Sequence, residues 1–394
     1  KLSGVRIMAY TNIDDPSAFF QATLYTGNGG NGHVITHTGN SDLQADMVWI
    51  KMRSAAYNQV VYDTSRRPSG TPFSGSLYVL ALGNNYGTGA ENTGAYGPTA
   101  IGSDSVTMNS YDTINKSSET FVSWNWKANG GTTTSVSASG TGEDSINAST
   151  HQVNTTAGFS IITYTGRDDQ ISNGQETKLT HGLGVKPDMF ICKRRDGTSN
   201  WYVLGANATE TANFGWSYNE YLALNNTSAV VGVYYTGNKA ADSNYIYLGN
   251  QLVNTADSWI GYAFTSKQGY SKFGRYTGNG NASGPFVYTG FQPAFVMLKI
   301  IDTHGGTSDS WAIFDNKRSD SGGFNVIDKH LRPDNDAAES DPGGDPAVQI
   351  DLLSNGFKIR TANGQLNAVG DLYSYTAFAE HPFVTSTGVP TTAR

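Results

Sequence analysis

The chain has 394 residues and a net charge of −7, with 15% charged residues set against 46 Gly, 22 Tyr and 17 Phe. That balance excludes the basic footprint of a nucleic-acid binder. The 38% apolar fraction suffices for packed cores, and no apolar run approaches the roughly 18 residues of a membrane span.

Scarce Lys and Glu with abundant Gly, Thr and aromatics disfavour helices and suit strands joined by tight turns. Residues 1–19 read as an N-terminal arm, too polar at 1–7 for a signal peptide, with Met8-Ala9-Tyr10 as a natural start. Residues 20–128 hold five landmarks in order. They are the turn Tyr25-Thr26-Gly27-Asn28, an apolar run ending in Lys51, an apolar segment at 57–63, Leu82-Gly83-Asn84, and an aromatic strand at 121–126. In that last strand Val122, Trp124 and Trp126 alternate with Ser123, Asn125 and Lys127, which puts one face in a core.

Residues 129–157 are rich in Gly, Ser and Thr and read as a linker. The landmarks return in 158–268 as Tyr164-Thr165-Gly166-Arg167, the run 187–193, Trp201–Leu204, Leu224-Asn225-Asn226 and the closing run 259–264. They return again in 269–384 as Tyr276-Thr277-Gly278-Asn279, the run 293–299, 311–315, 331–335 and 373–378. Residues 385–394 read as a C-terminal tail that, like the N-terminal arm, orders on a neighbour. Each recurring segment has the size of one β-sandwich. The expected fold is therefore all-β, with three tandem antiparallel β-sandwich repeats of lectin-like or jelly-roll type.

The Tyr-Thr-Gly-Asn turn, the Pro-Asp-x-x-x-x-Lys strand and the closing aromatic strand resemble the repeated β-sandwich domains of structural and tail proteins of marine tailed bacteriophages. The opening residues 8–16 resemble the start of such proteins. This resemblance covers nearly the whole chain and implies a concanavalin-type sandwich in a virion assembled in the host cytoplasm. Three positions depart from the pattern: Asp46 lacks a preceding Pro, Arg167 replaces Asn, and Ala294 replaces Asp.

Few groupings carry chemistry. Gly27-Asn28-Gly29-Gly30-Asn31-Gly32 lacks the helix and Lys-Ser/Thr of a phosphate loop and reads as a hairpin turn. Asp63-x-x-Arg66 and Asp315-x-x-Arg318 follow matching strands and suit structural ion pairs; Gly205 stands near that place in the second segment. Asp334, Asp336, Glu339 and Asp341, with Asp345, form an acidic loop, either solvated or a Ca²⁺ site. His33 and His37 are four apart on loop and strand, which fails the helical zinc geometry. No Gly-x-Ser-x-Gly elbow occurs. Cys192 forbids an internal disulfide and, inside an apolar strand, reads as an inert buried thiol.

Tyr57, Tyr86, Tyr96, Tyr111, Tyr202, Tyr234 and Tyr235 offer either sugar stacking and subunit contacts or scattered surface and core packing. The expected function is a non-enzymatic virion structural protein, a tail or fibre component with adhesive potential toward host-surface glycans. A capsid decoration protein and a glycan-cleaving β-sandwich enzyme are the alternatives. Expected partners are other virion proteins and further copies of the chain, without nucleic acid, membrane insertion or a cofactor other than Ca²⁺.

Overall fold

A computed structural model describes residues 9–67, 78–82, 87–137, 148–167, 177–205, 220–232, 239–253, 256–301, 310–319, 325–339 and 348–391. The first part contains β1 Phe20–Thr26, β2 His33–Thr36, β3 Met47–Met52, β4 Gln59–Asp63, β5 Leu80–Leu82, β6 Ala100–Ile101, β7 Ser105–Met108, α1 Asp112–Asn115 and β8 Thr120–Trp126. The second contains β9 Thr134–Val136, β10 Ser149–Asn154, β11 Phe159–Thr165, β12 Thr177–Thr180, β13 Met189–Arg194, β14 Trp201–Leu204, β15 Glu220–Ala223, β16 Val231–Gly232, β17 Tyr245–Leu248 and β18 Ser258–Phe264. The third contains β19 Ser271–Thr277, β20 Phe286–Tyr288, β21 Phe291–Ile300, β22 Ala312–Asp315, β23 Ile350–Leu353, β24 Gly356–Ile359, α2 Gly364–Asn367 and β25 Leu372–Pro382. The chain is nearly all β, as its composition implies.

Three large antiparallel sheets run β1-β8-β3-β4-β5, β16-β15-β14-β13-β18-β11-β10-β9 and β19-β25-β21-β22. In each, an opening strand pairs with the closing aromatic strand, which lies beside the apolar run. Equivalent residues face one another: Tyr25 opposite Phe121, Tyr164 opposite Trp259, Tyr276 opposite Tyr373. Three small sheets, β2-β7-β6, β12-β17 and β20-β24-β23, each share a hydrophobic cluster with one large sheet.

The apolar runs are buried on both faces, which explains why they lack alternation. Val48, Ile50 and Met52 of β3 face the small sheet, whereas Met47 and Trp49 face a core common to all three large sheets. The same split separates Phe190 and Cys192 from Met189 and Ile191, and Val296 and Leu298 from Phe295 and Met297. At the centre Phe20 stacks on Phe378 at 5.3 Å, and Phe295 meets Trp124 edge-on at 5.7 Å. Each such aromatic contributes roughly 2–3 kcal/mol by burial.

Three expectations change. Within the expected linker, 129–157, β9 and β10 add two strands to the second sheet, because β10 pairs over its whole length with β11. The N-terminal arm packs on its own chain: Ile13 is buried in the common core, Thr11 donates to the Gln268 carbonyl, and Asp15 caps a 3-10 turn at Pro16–Ala18. The C-terminal tail also folds back, with the Ser386 N–H donating to Asp14.

Candidate functional site

The most chemically loaded region lies where the three large sheets meet. At or just before the start of β4, β14 and β22, Trp201 Nε1 donates to Ala81 O and Trp311 Nε1 to Ala223 O, both at 2.9 Å, while Gln59 Nε2 donates to Arg332 O at 2.7 Å. The lysines that end the apolar runs repeat this pattern. Lys193 Nζ reaches Thr88 O at 3.3 Å, Lys299 Nζ reaches Thr227 O at 2.9 Å, and Lys51 Nζ reaches Asp336 O at 3.2 Å. A backbone contact repeats it once more, in Glu91 N to Arg195 O, Val230 N to Ile301 O and Glu339 N to Arg53 O. Every set joins the second part to the first, the third to the second, and the first to the third. The contacts close a ring.

Two of the three seams carry a buried carboxylate–arginine cluster. Asp63 Oδ2 accepts from Arg66 Nε at 2.6 Å and from Tyr262 OH at 2.6 Å across the seam. Arg66 Nη1 pairs with Glu91 at 2.9 Å, and Glu91 also binds Arg195 at 2.8 Å. At the next seam Asp315 Oδ2 accepts from Arg318 Nε at 2.7 Å and Trp124 Nε1 at 2.9 Å. Glu339 there joins Arg318 and Arg53, each at 2.8 Å. Asp63, Arg66, Asp315 and Arg318 are fully buried. Among the described residues the third seam lacks such a cluster: beside the Lys299, Trp311 and Val230 hydrogen bonds, Thr376 Oγ1 lies 3.6 Å from Met189 Sδ.

Burial opposes the charge of Glu91 and Glu339, but the flanking guanidinium groups outweigh it and hold both carboxyls below their usual range. Each Asp in these clusters spends its oxygens on donors fixed by the fold: Asp63 Oδ1 also accepts from the Ser65 and Arg66 N–H groups, Asp315 Oδ1 from Lys317 N. Such carboxylates act as fixed counter-ions, with none of the access a proton-transfer group needs. The two Asp-x-x-Arg pairs thus stand as ion pairs at strand ends. Sequence reasoning missed Glu91, Arg195 and Arg53. The signal was an Arg two residues after the run-ending lysine, present at Arg53 and Arg195 and replaced by Ile301.

The acidic loop is divided in use. Asp334 Oδ1 accepts from the Trp311 N–H, Glu339 is held by two arginines, and Asp336 is exposed with its carbonyl taken by Lys51. Asp341 and Asp345 lie outside the described residues. Among the described residues no group of three or more His, Cys, Asp or Glu side chains is placed to hold a metal. Of the candidate tyrosines, Tyr57 is half-buried under Lys116, 5.2 Å from its ring. Tyr96 is exposed and meets Tyr111 edge-on at 4.9 Å, while Tyr202 is buried against Tyr221. Tyr86, Tyr234 and Tyr235 lie outside the described residues. His33 binds the Asn115 side chain and His37 the Thr23 hydroxyl, so they serve different partners. Cys192 is buried and its thiol is pushed up by burial.

Fold and seams together define an all-β protein of antiparallel sheets built around one shared core. The chain belongs to the DUF7483 family, described as a domain of unknown function, whose match spans residues 15–382. No curated protein matches it. Among solved structures it is similar to a baculovirus envelope protein, the novel chondroitin lyase ODV-E66, at 9% identity and a TM-score of 0.12. The alignment covers 91% of this chain and 54% of that one, so the chain spans about half the length of that enzyme. At that TM-score the likeness carries no argument.

Proposed function

We propose that the chain is three tandem copies of one lectin-like β-sandwich, closed into a pseudo-threefold body that serves as a non-enzymatic structural component of a tailed-phage virion. The observation that carries this reading is the ring of equivalent seam contacts running in one direction around a common core. Three equivalent surfaces closing head to tail satisfy one another, as in a cyclic trimer. The result is a rigid block stabilised without a disulfide, which suits a tail or fibre part. Its buried carboxylates are committed to arginines, which supports scaffolding over reaction chemistry. The outward faces of the small sheets are free to contact other virion proteins, further copies of the chain or host-surface glycans.

Reconstruction of purified particles tests this. Density for the chain at the tail or a fibre is the expected result, and its presence on the capsid shell instead makes it a decoration protein. Particles that lack the chain while the infected lysate contains it overturn the reading.

A further inference from the structure

One outward surface differs from its counterparts. β20 is the edge strand of the third small sheet, and its alternation turns Val287 inward and Phe286 and Tyr288 outward. Phe286 is 47% exposed and Tyr288 48%. The matching outward residues are Val34 and Thr36 on β2 and Lys178 and Thr180 on β12, so nothing in the shared architecture calls for rings at these positions. Both rings are held in place. A Cβ on Gly356 would lie 3.0 Å from Phe286 Cε2, so the edge of that ring packs against the bare glycine backbone. The Tyr288 hydroxyl is 3.3 Å from that of Tyr10, whose own proton goes to Gly290 O at 2.7 Å. Gly290 has φ +84, and a Cβ there would meet the Tyr10 hydroxyl at 2.7 Å, so the glycine admits this arrangement. Lys272 Nζ lies 5.4 Å from the Tyr288 ring centroid and donates to Tyr288 O.

We infer that Phe286 and Tyr288, with Lys272 and Tyr10 at their rim, form a stacking platform for pyranose rings of a glycan. Two fixed rings at alternate strand positions stand about 7 Å apart, enough to seat one or two sugars. The apolar face of a pyranose lies on an aromatic ring while its hydroxyls reach polar groups at the edge. Lys272 has further N–H donors beyond the one spent on Tyr288 O, and Tyr288 OH keeps acceptor capacity. A protein partner fits poorly, because two half-exposed rings offer on the order of 200 Å² where a stable interface takes about 800 Å² per partner. This inference rests on the adhesive part of the proposed function.

The test uses the full chain on an immobilised panel of glucose, galactose, N-acetylglucosamine and glucuronate oligosaccharides. Binding to at least one of them is expected, weakened about tenfold or more in Phe286→Ala and Tyr288→Ala and largely retained in Tyr288→Phe, which keeps the ring. Thermal melting checks that the alanine variants, changed at exposed edge positions, remain folded. Binding that persists unchanged in both alanine variants overturns the platform and leaves adhesion standing elsewhere on the chain. Binding to no sugar overturns both platform and adhesion. Concentration-dependent dimerisation that Tyr288→Ala abolishes, without sugar binding, assigns the rings to a second copy and overturns the inference as well.

Discussion

Lys51, Lys193 and Lys299 are fully buried, and each donates a hydrogen bond to a loop carbonyl beside the neighbouring large sheet. Burial pushes Lys51 and Lys193 down to about 7. An unfolded lysine titrates near ~10.4, so between these values the unfolded chain binds protons that the folded chain does not. Stability therefore rises with pH through that window and is lowest below it. The melting temperature is expected to climb between pH 7 and pH 9, and the slope to flatten in a Lys51→Met, Lys193→Met variant. Burial also drives His37 down to about 4 and His330 to about 3, so stability falls again as pH drops from the ordinary histidine range toward those values. Glu91 and Glu339 act later: their contribution is intact above the usual glutamate range and is lost as pH falls through their depressed values. The arginine grip on Glu339 also bears on metal dependence. With that carboxylate committed, chelation by EDTA is expected to leave the melting temperature unchanged; a drop restored by Ca²⁺ would reassign the loop around Asp334 and Asp336.

Elements were legible where side chains do the pairing work. The Tyr-Thr-Gly-Asn turn is an example: Tyr25 stacks on Phe121 and Tyr276 on Tyr373, both at 5.0 Å. A Cβ on Gly27 would meet Lys116 O at 2.2 Å and one on Gly278 would meet Ala368 O at 2.1 Å, so the glycine allows the turn to press onto the short helix. Asn367 at the end of α2 locks it, accepting from Asn279 N at 2.7 Å and donating to Asn279 Oδ1, Asn281 O and Thr361 O. Asn115 does the same for Asn28 and Gly30. Replacing Asn367 by Ala leaves the buried Thr361 carbonyl, and the partly buried Asn279 N–H and Asn281 carbonyl, without this partner, at about 1–3 kcal/mol. Urea unfolding is expected to show that loss as a lowered midpoint with unchanged slope. The strands β9 and β10 were not legible. Thr134 and Ser135 are exposed and pair through backbone alone, which leaves no apolar pattern to read. The anchor of β10 is Gln152, whose amide donates to the Thr64 and Ser65 hydroxyls; polar partners so distant in sequence give no periodicity.

At the scale of the molecule, the three seams allow a comparison of two ways to join adjacent large sheets. Two use an Asp-Arg-Glu-Arg cluster, and among the described residues the third uses the Lys299, Trp311 and Val230 hydrogen bonds with Met189 and Thr376. With Gly205 at the place of Asp63 and Ile301 at the place of Arg53, the third seam stands in the same ring without that cluster, so the cluster is one solution and not a requirement of the geometry. A buried ion cluster returns its desolvation cost only while every member is present. Glu339→Ala leaves the fully buried Arg318 with Asp315 as its one carboxylate among the described residues and also frees Arg53, so it is expected to cost about 3–5 kcal/mol. Converting the cluster as a unit is expected to cost far less. In the triple variant Asp315→Asn, Arg318→Met, Glu339→Gln, the asparagine still accepts from Trp124 Nε1, and methionine refills the space over the Trp124 ring, where the guanidinium carbon now lies 5.5 Å from the centroid. Guanidinium unfolding of the single and triple variants decides the matter: recovery of most of the single variant's loss means the seams hold by packing, whereas a triple variant that unfolds in two steps means that charge closes the ring between the first and third units.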